Sequence, residues 1–508
     1  MKNKSIVSII LSVGLVAFLS KVLGFLREMV LAFYFGANTQ TDVFFIAQSM
    51  PSTLFPAVCN SFATAFVPLY VSQLGKSQND GNRFASNALK FSVTLVIVLS
   101  FFSVLIMPIA VKLIFPSLTE LNFSNAVLFS RIIMIGFPFV MIQYMLSAFL
   151  STHKRYLETQ IAGLFFSISL ILATIVFSNE RGMIMLIISV SFAHFLQAVY
   201  LWFVSRKHVR LETSTVLFMS DIKSLVVFTL PILLSNLVLQ VNGIVSRSIA
   251  SSLADGSVSA MNYAQTIDNM LIGVLITSLT LVLYPIMATE SGNGNSQRGV
   301  FEKGIKFTVM SLVPISVIFS VFADSIVSII YERGVFDKMA VNLTASFLRF
   351  SSLQYAFFGI RELLTRRYYV EKNTKTPLLI NVFGMVMNVL LAFILSKKLG
   401  VAGIAIANTI FITIVAVLML VIHEHKQKKC GETAFYITIV KQVIIASLVS
   451  TVVAVVFVRK FYLQNHFITL CVGSILVLIS YIIMLKILKC EELDELISKA
   501  MHMVKRNN

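Results

Sequence analysis

Three ionisable residues, Lys21, Arg27 and Glu28, stand inside one apolar stretch near the start of the chain, SKVLGFLREMVLAF. On insertion scales a charge at the centre of a membrane helix costs about 2.5–3.5 kcal/mol, so it normally faces a polar cavity or a partner. At about 3.6 residues per turn, Gly24 and Arg27 lie on nearly the same face as Lys21. Two cations on one face, with a glycine between them, would suit the passage of an anion. An interhelical ion pair, or a helix end close to the lipid headgroups, would use the same residues. Glu28 is expected to point elsewhere and to pair with a basic neighbour.

Further candidates are scattered along the chain. Arg247 follows Asn236, Gln240 and Asn242, a polar stripe at helical spacing that serves either a cavity or interhelical hydrogen bonding. Asp42 opens an apolar segment, where a carboxylate favours a helix N-terminus as readily as it would serve transport. Asp268 and Asn269 are candidate cavity contacts or cation ligands. Arg361 and Glu362 lie shortly before Arg366 and Arg367, which read as topology anchors or headgroup contacts. Enzyme signatures are missing: there is no G-x-x-x-x-G-K-[ST] loop, and His423-Glu424-His425 lacks the H-E-x-x-H spacing and reads as a solvated turn. The chain therefore reads as a transporter rather than an enzyme, with no cofactor and no metal site.

The elements that must position these residues are membrane helices. The chain is 57% hydrophobic and 13% charged, with a mean hydropathy of +0.87, against about 25% charged in soluble domains. Apolar runs of roughly 20 residues, the length that crosses a bilayer core, recur throughout. They number about fourteen, from 5–35 to 466–488, with 124–151 the fourth and 341–365 the tenth. The fold class is thus all-α and polytopic, and the alternating ten-residue pattern of a barrel is absent. The net charge of +18 comes mainly from Lys and Arg in alternate connections, which puts both termini in the cytoplasm. No nucleic-acid recognition module accompanies it. Cys59, Cys430, Cys471 and Cys490 lack metal-ligand spacing. The tail after residue 490 reads as a solvated segment or a short amphipathic helix on the surface of membrane lipid.

A faint repeat relates the two halves. Ala47-Gln48 precedes Pro68 at the same interval as Ala264-Gln265 precedes Pro285, and Arg27 and Arg247 lie upstream of the respective pairs. Transporters are commonly built from such repeats. The expected division is a six-helix lobe over 1–206, a pseudo-symmetric six-helix lobe over 207–430, two added helices over 431–490, and a tail over 491–508.

The segment Ser20 to Pro51, SKVLGFLREMVLAFYFGANTQTDVFFIAQSMP, closely resembles the opening signature of the MurJ (MviN) family of lipid II flippases, within the multidrug/oligosaccharidyl-lipid/polysaccharide exporter superfamily. Further matching blocks are AFVP (Ala65 to Pro68), ADGSVSAMNYAQ (Ala254 to Gln265), YERGVF (Tyr331 to Phe336) and RELLTRRYYVEKNTKTP (Arg361 to Pro377). The resemblance implies two lobes around a cationic cavity, a groove for a polyprenyl tail made by the last two helices, and alternating access. On that likeness Arg27 matches a cavity arginine, Lys21 stands where arginine is usual, and Asp42 matches a family aspartate. The family's basic pair after the second helix's proline is missing, with Phe55 and Pro56 in that region, and Thr266 stands where an arginine is usual. Arg247 is a candidate to compensate. The expected partners are a lipid-linked oligosaccharide diphosphate, lipid II, together with membrane lipid and a coupling ion. The alternatives are another lipid-linked glycan, such as a capsule or O-antigen repeat, or a cation-coupled drug exporter.

Overall fold

The computed structural model describes residues 6–178, 182–206, 218–289, 296–371, 373, 375–426, 433–460 and 465–490. Among them are seventeen α-helices and no strand. The helices are α1 (Ile6–Phe35), α2 (Thr39–Leu74), α3 (Gln78–Ile114), α4 (Glu120–Ile135), α5 (Phe137–Thr152), α6 (Tyr156–Val176), α7 (Gly182–Ser205), α8 (Met219–Ser251) and α9 (Ser257–Thr289). They continue as α10 (Ser296–Val321), α11 (Ala323–Tyr331), α12 (Lys338–Ser351), α13 (Tyr355–Val370), α14 (Lys375–Leu399), α15 (Val401–Lys426), α16 (Thr433–Lys460) and α17 (His466–Ile487). Cys430 and the tail after residue 490 lie outside the described residues.

Each of the fourteen expected segments coincides with one helix or a pair. The fourth is two helices, α4 and α5, bent by 40°, and Pro138 in the first turn of α5 is the local cause. The tenth is α12 and α13, separated by a 3-10 turn at Ser352–Gln354. The short α11 is an addition. Nine helices among the described residues are each long and apolar enough to cross a membrane, and the bent pair adds a tenth candidate. This is a multi-pass membrane protein.

Exposure supports the same conclusion. Along α3, Phe101, Leu105, Ile109 and Leu113 are 57–80% exposed, while Val96, Ser100, Met107 and Val111 are buried. A soluble protein would not leave so large an apolar face bare, but lipid tails cover it at no cost. Proline is tolerated inside α2 at Pro51, Pro56 and Pro68, because side chains and neighbouring helices can satisfy the freed carbonyls.

The chain divides into two compact units, the first comprising Met1–Tyr263 with Arg333–Ala340 and the second Ala264–Glu332 with Val341–Asn508. In the first unit α2 packs against α3, α4, α5 and α8, and α1 lies on α6. Phe66, Tyr70 and Phe84 stack with centroids 5.2 and 5.9 Å apart. In the second unit α14 pairs with α15, α16 with α17, and α10 with α13 and α16. Its core gathers Leu364, Tyr368, Val415, Met419, Ala446 and Leu485, and the Tyr368 hydroxyl donates to the Met419 carbonyl at 2.9 Å.

Candidate functional site

The turn between α1 and α2 is where several sequence blocks meet. Asn38 caps α2, its Oδ1 accepting from the backbone N–H groups of Gln40 and Thr41 at 3.0 and 3.2 Å. That leaves Asp42 for another task. Its Oδ2 accepts from Gly256 N at 2.8 Å, and its Oδ1 accepts from Ser259 N at 2.7 Å and from the Ser259 hydroxyl at 2.5 Å. These donors belong to the first turn of α9 and the residue before it. Asp42 therefore caps a distant helix rather than its own, which corrects the sequence expectation, and the negative charge meets the positive end of α9. It is only 8% exposed.

Glycine is required on both sides of this junction. Gly256 has φ +84°, and a Cβ there would sit 2.5 Å from the Ala37 carbonyl oxygen. Gly334 has φ +62°, and a Cβ there would lie 2.2 Å from the Phe33 carbonyl oxygen, which accepts from Val335 N at 3.1 Å. The Tyr263 hydroxyl donates to the Gly36 carbonyl at 3.1 Å, and its ring lies edge-on to Phe45 and Phe336. Residues from the first, third and fourth matching blocks thus form one clamp in the first unit. The sequence blocks contained these residues, but nothing in their types announced that they touch.

Two turns earlier on α1, Arg27 and Glu28 pair with each other. Arg27 Nη2 donates to Glu28 Oε1 at 2.7 Å and Nε donates to the same oxygen at 3.2 Å. Glu28 thus pairs with a basic neighbour, as its place in the sequence allows, and that neighbour is the adjacent residue, toward which its side chain curls. The Arg27 guanidinium lies 5.3 Å from the Phe166 ring centroid, and Asn262 Nδ2 approaches Glu28 Oε2 at 3.4 Å. The first turns of α9 therefore reach both Asp42 and Glu28. The cavity beside the pair, bordered by Leu31, Gln48 and Thr174, measures about 20 Å³, room for about one water. Lys21 is exposed, and a Cβ at Gly24 would meet no atom within 4 Å.

Arg247 stands apart from this group. Its Nη1 lies 3.8 Å from the Cβ position of Gly243, one turn back on α8. Among the described residues no acceptor forms a hydrogen bond or ion pair with it. The polar stripe before it divides in function, because Asn236 Nδ2 donates to the Ser61 hydroxyl of α2 at 2.9 Å. Phe55 is buried and packs on Phe137 at 4.6 Å.

The second unit holds Asp268 and Arg361. Asp268 is 4% exposed, and its Oδ1 accepts from the Tyr355 hydroxyl at 2.5 Å, joining α9 to α13. Asn269 is exposed. Arg361 faces Glu362 at 3.5 Å and lies 4.5 Å from the Phe358 ring centroid. Arg367 is 6% exposed and donates from Nε to Glu371 Oε1 at 2.9 Å. His423 also departs from its expected solvated turn, because α15 continues to Lys426. Its imidazole is buried, with Nε2 3.5 Å from the same Glu371 oxygen. Arg367 to Glu371, at i,i+4 spacing, was the legible half of this cluster.

Solved structures with this helical arrangement define the class first. A structure described as "Lipid II flippase MurJ, inward closed conformation" superposes with a TM-score of 0.81 at 22% identity, covering 94% of this chain and 98% of that one. An inward-facing multidrug resistance MATE family transporter of the MOP superfamily gives a TM-score of 0.69 at 14% identity, over 80% of this chain and 94% of that one. The fold is that of this transporter class. The family described as "Lipid II flippase MurJ" matches residues 31–477, and the chain belongs to that family. Relatives include the "Probable lipid II flippase MurJ" of Rickettsia prowazekii (strain Madrid E), 25% identical over 88% of this chain and 89% of the relative. Its namesake in Rhizobium meliloti (strain 1021) is 26% identical over 77% of this chain and 75% of the relative.

Proposed function

We propose that this protein moves an undecaprenyl-diphosphate-linked sugar precursor, lipid II for peptidoglycan, across the bacterial cytoplasmic membrane by alternating access. The observation that carries the proposal is the guanidinium of Arg247, which has no protein acceptor among the described residues, in a chain of this family. A diphosphate is the ligand such cations suit, since charge-assisted hydrogen bonds to phosphate are roughly twice as strong as neutral ones. In this reading Lys21, Arg27 and Arg247 receive the diphosphate, while the polyprenyl tail stays in lipid against the helices of 431–490. Asp42 positions the first turns of α9 beside Arg27 and Glu28. Asp268 and Arg361 are the second lobe's candidate contacts, and Asp268 is also the candidate ligand for a coupling ion. The lobes are 1–206 and 207–430, and both termini are cytoplasmic.

Arg27→Glu tests the reading in cells depleted of their own lipid II flippase. The wild-type chain is expected to sustain wall synthesis, and the variant, produced at equal level, to fail with lipid II held in the inner leaflet. Failure of the wild type to prevent that accumulation would reject lipid II as cargo. One observation favours the second reading, another lipid-linked glycan. Where the family's basic pair is missing, Phe55 fills the space by packing on Phe137. Rescue of a capsule or O-antigen flippase defect, without rescue of wall synthesis, would support it.

A further inference from the structure

A cavity of about 680 Å³ opens at the end of the first unit where α1 finishes and α2, α4 and α7 begin. That volume falls within the roughly 300–1,000 Å³ of small-molecule sites. Its wall differs from the cationic face of α1: among the described residues no lining side chain is charged. Gln40 comes from α2, and Asn122 and Asn125, one turn apart on α4, add two more amides. Among the described residues none of these three amides has an intramolecular side-chain hydrogen bond. Asn38, by contrast, is committed to its helix cap. The Tyr34 ring and hydroxyl complete the polar wall, and Phe129 continues the α4 face one turn beyond Asn125.

A primary amide carries two donors and a two-lone-pair acceptor. Three of them with a phenol can satisfy a ligand dense in hydroxyl and acetamido groups. Aromatic rings give the C–H face of a pyranose a flat apolar partner. Among the described residues an inorganic anion or a metal ion finds no counter-charge here. We infer that this cavity is a binding site for an uncharged, N-acetylated glycan, separate from the cations that would hold a diphosphate. If both termini are cytoplasmic, it lies on the outer side, where it would receive the sugar part of an exported headgroup. Its side of the membrane rests on the proposed function, but its chemistry does not.

The test uses full-length protein in detergent micelles and N,N′-diacetylchitobiose as probe, read by saturation-transfer NMR. The wild type is expected to bind, with hexose 6-phosphate failing to compete. Two variants attack the site by different routes. Asn122→Leu with Asn125→Leu removes the amides, and Ile184→Trp fills the space from an exposed rim position. Each is expected to weaken binding at least fivefold while melting within a few degrees of the wild type. Absence of transfer to the wild type, or undiminished binding by either variant, overturns the inference. The soluble disaccharide carries no lipid or phosphate, so this result is independent of whether the chain flips lipid II.

Discussion

Arg27 and Arg247 carry the same charge in different company, and that difference sets what their substitutions should do. Arg27 has its carboxylate partner beside it at 2.7 Å, whereas Arg247 has no acceptor among the described residues. A hydrogen bond to a charged group contributes about 1.5–3 kcal/mol. Arg247→Ala should therefore weaken binding of a lipid diphosphate by about tenfold or more, measured by titration in micelles. Arg247→Lys should restore only part of it, since lysine keeps the charge but loses the planar fork. Full affinity in the alanine variant would remove Arg247 from the site. The identity of these cations was legible from sequence because charges inside apolar runs are rare. That Glu28 would pair with a basic residue was legible too, but not that the residue would be Arg27, because helical spacing places a side chain on a face without saying whether its neighbour will curl toward it.

Among the elements, α9 is held by its first turn. Asp42→Ala would strip the acceptor from three donors, at a cost of about 1–2 kcal/mol for the lost cap. Gly256→Ala would force an L-residue to φ +84° and push its Cβ against a backbone carbonyl, where the left-handed term alone is about 1–2 kcal/mol. Both variants should lower the melting temperature in detergent, and Gly256→Ala more than Asp42→Ala. A second junction joins α13 to α15 through Glu371, just past the end of α13. The hydrogen bond with His423 holds its carboxyl below the ordinary value of 4.5, with Arg367 adding to the effect against partial burial. Because the folded-state value is the lower one, this contribution is complete above about 4.5 and is lost as pH falls through the lowered value. Melting temperature should fall with acid across that window, and Glu371→Gln should flatten this part of the profile. The hydropathy pattern placed the segments but missed the breaks inside the fourth and tenth. Both halves of the fourth are apolar, so only Phe137-Pro138 gave a local sign of that break.

For the molecule as a whole, composition alone dictated membrane helices, since backbone groups in lipid must be satisfied within the segment. Which distant residues meet was beyond its reach. Asp42 finds Ser259 across 217 positions of chain. Synthesis proceeds at about 5–20 residues per second, so some 10–40 s separate the emergence of the carboxylate from that of its donors. Through that interval the first hairpin of the nascent chain stands without its fastener. A ribosome halted before residue 256 should leave the turn around Asn38 open to a thiol reagent directed at a cysteine placed there, and a chain released after residue 340 should shield it. The window in which a quality-control protease could seize this chain is therefore written into the order of its residues.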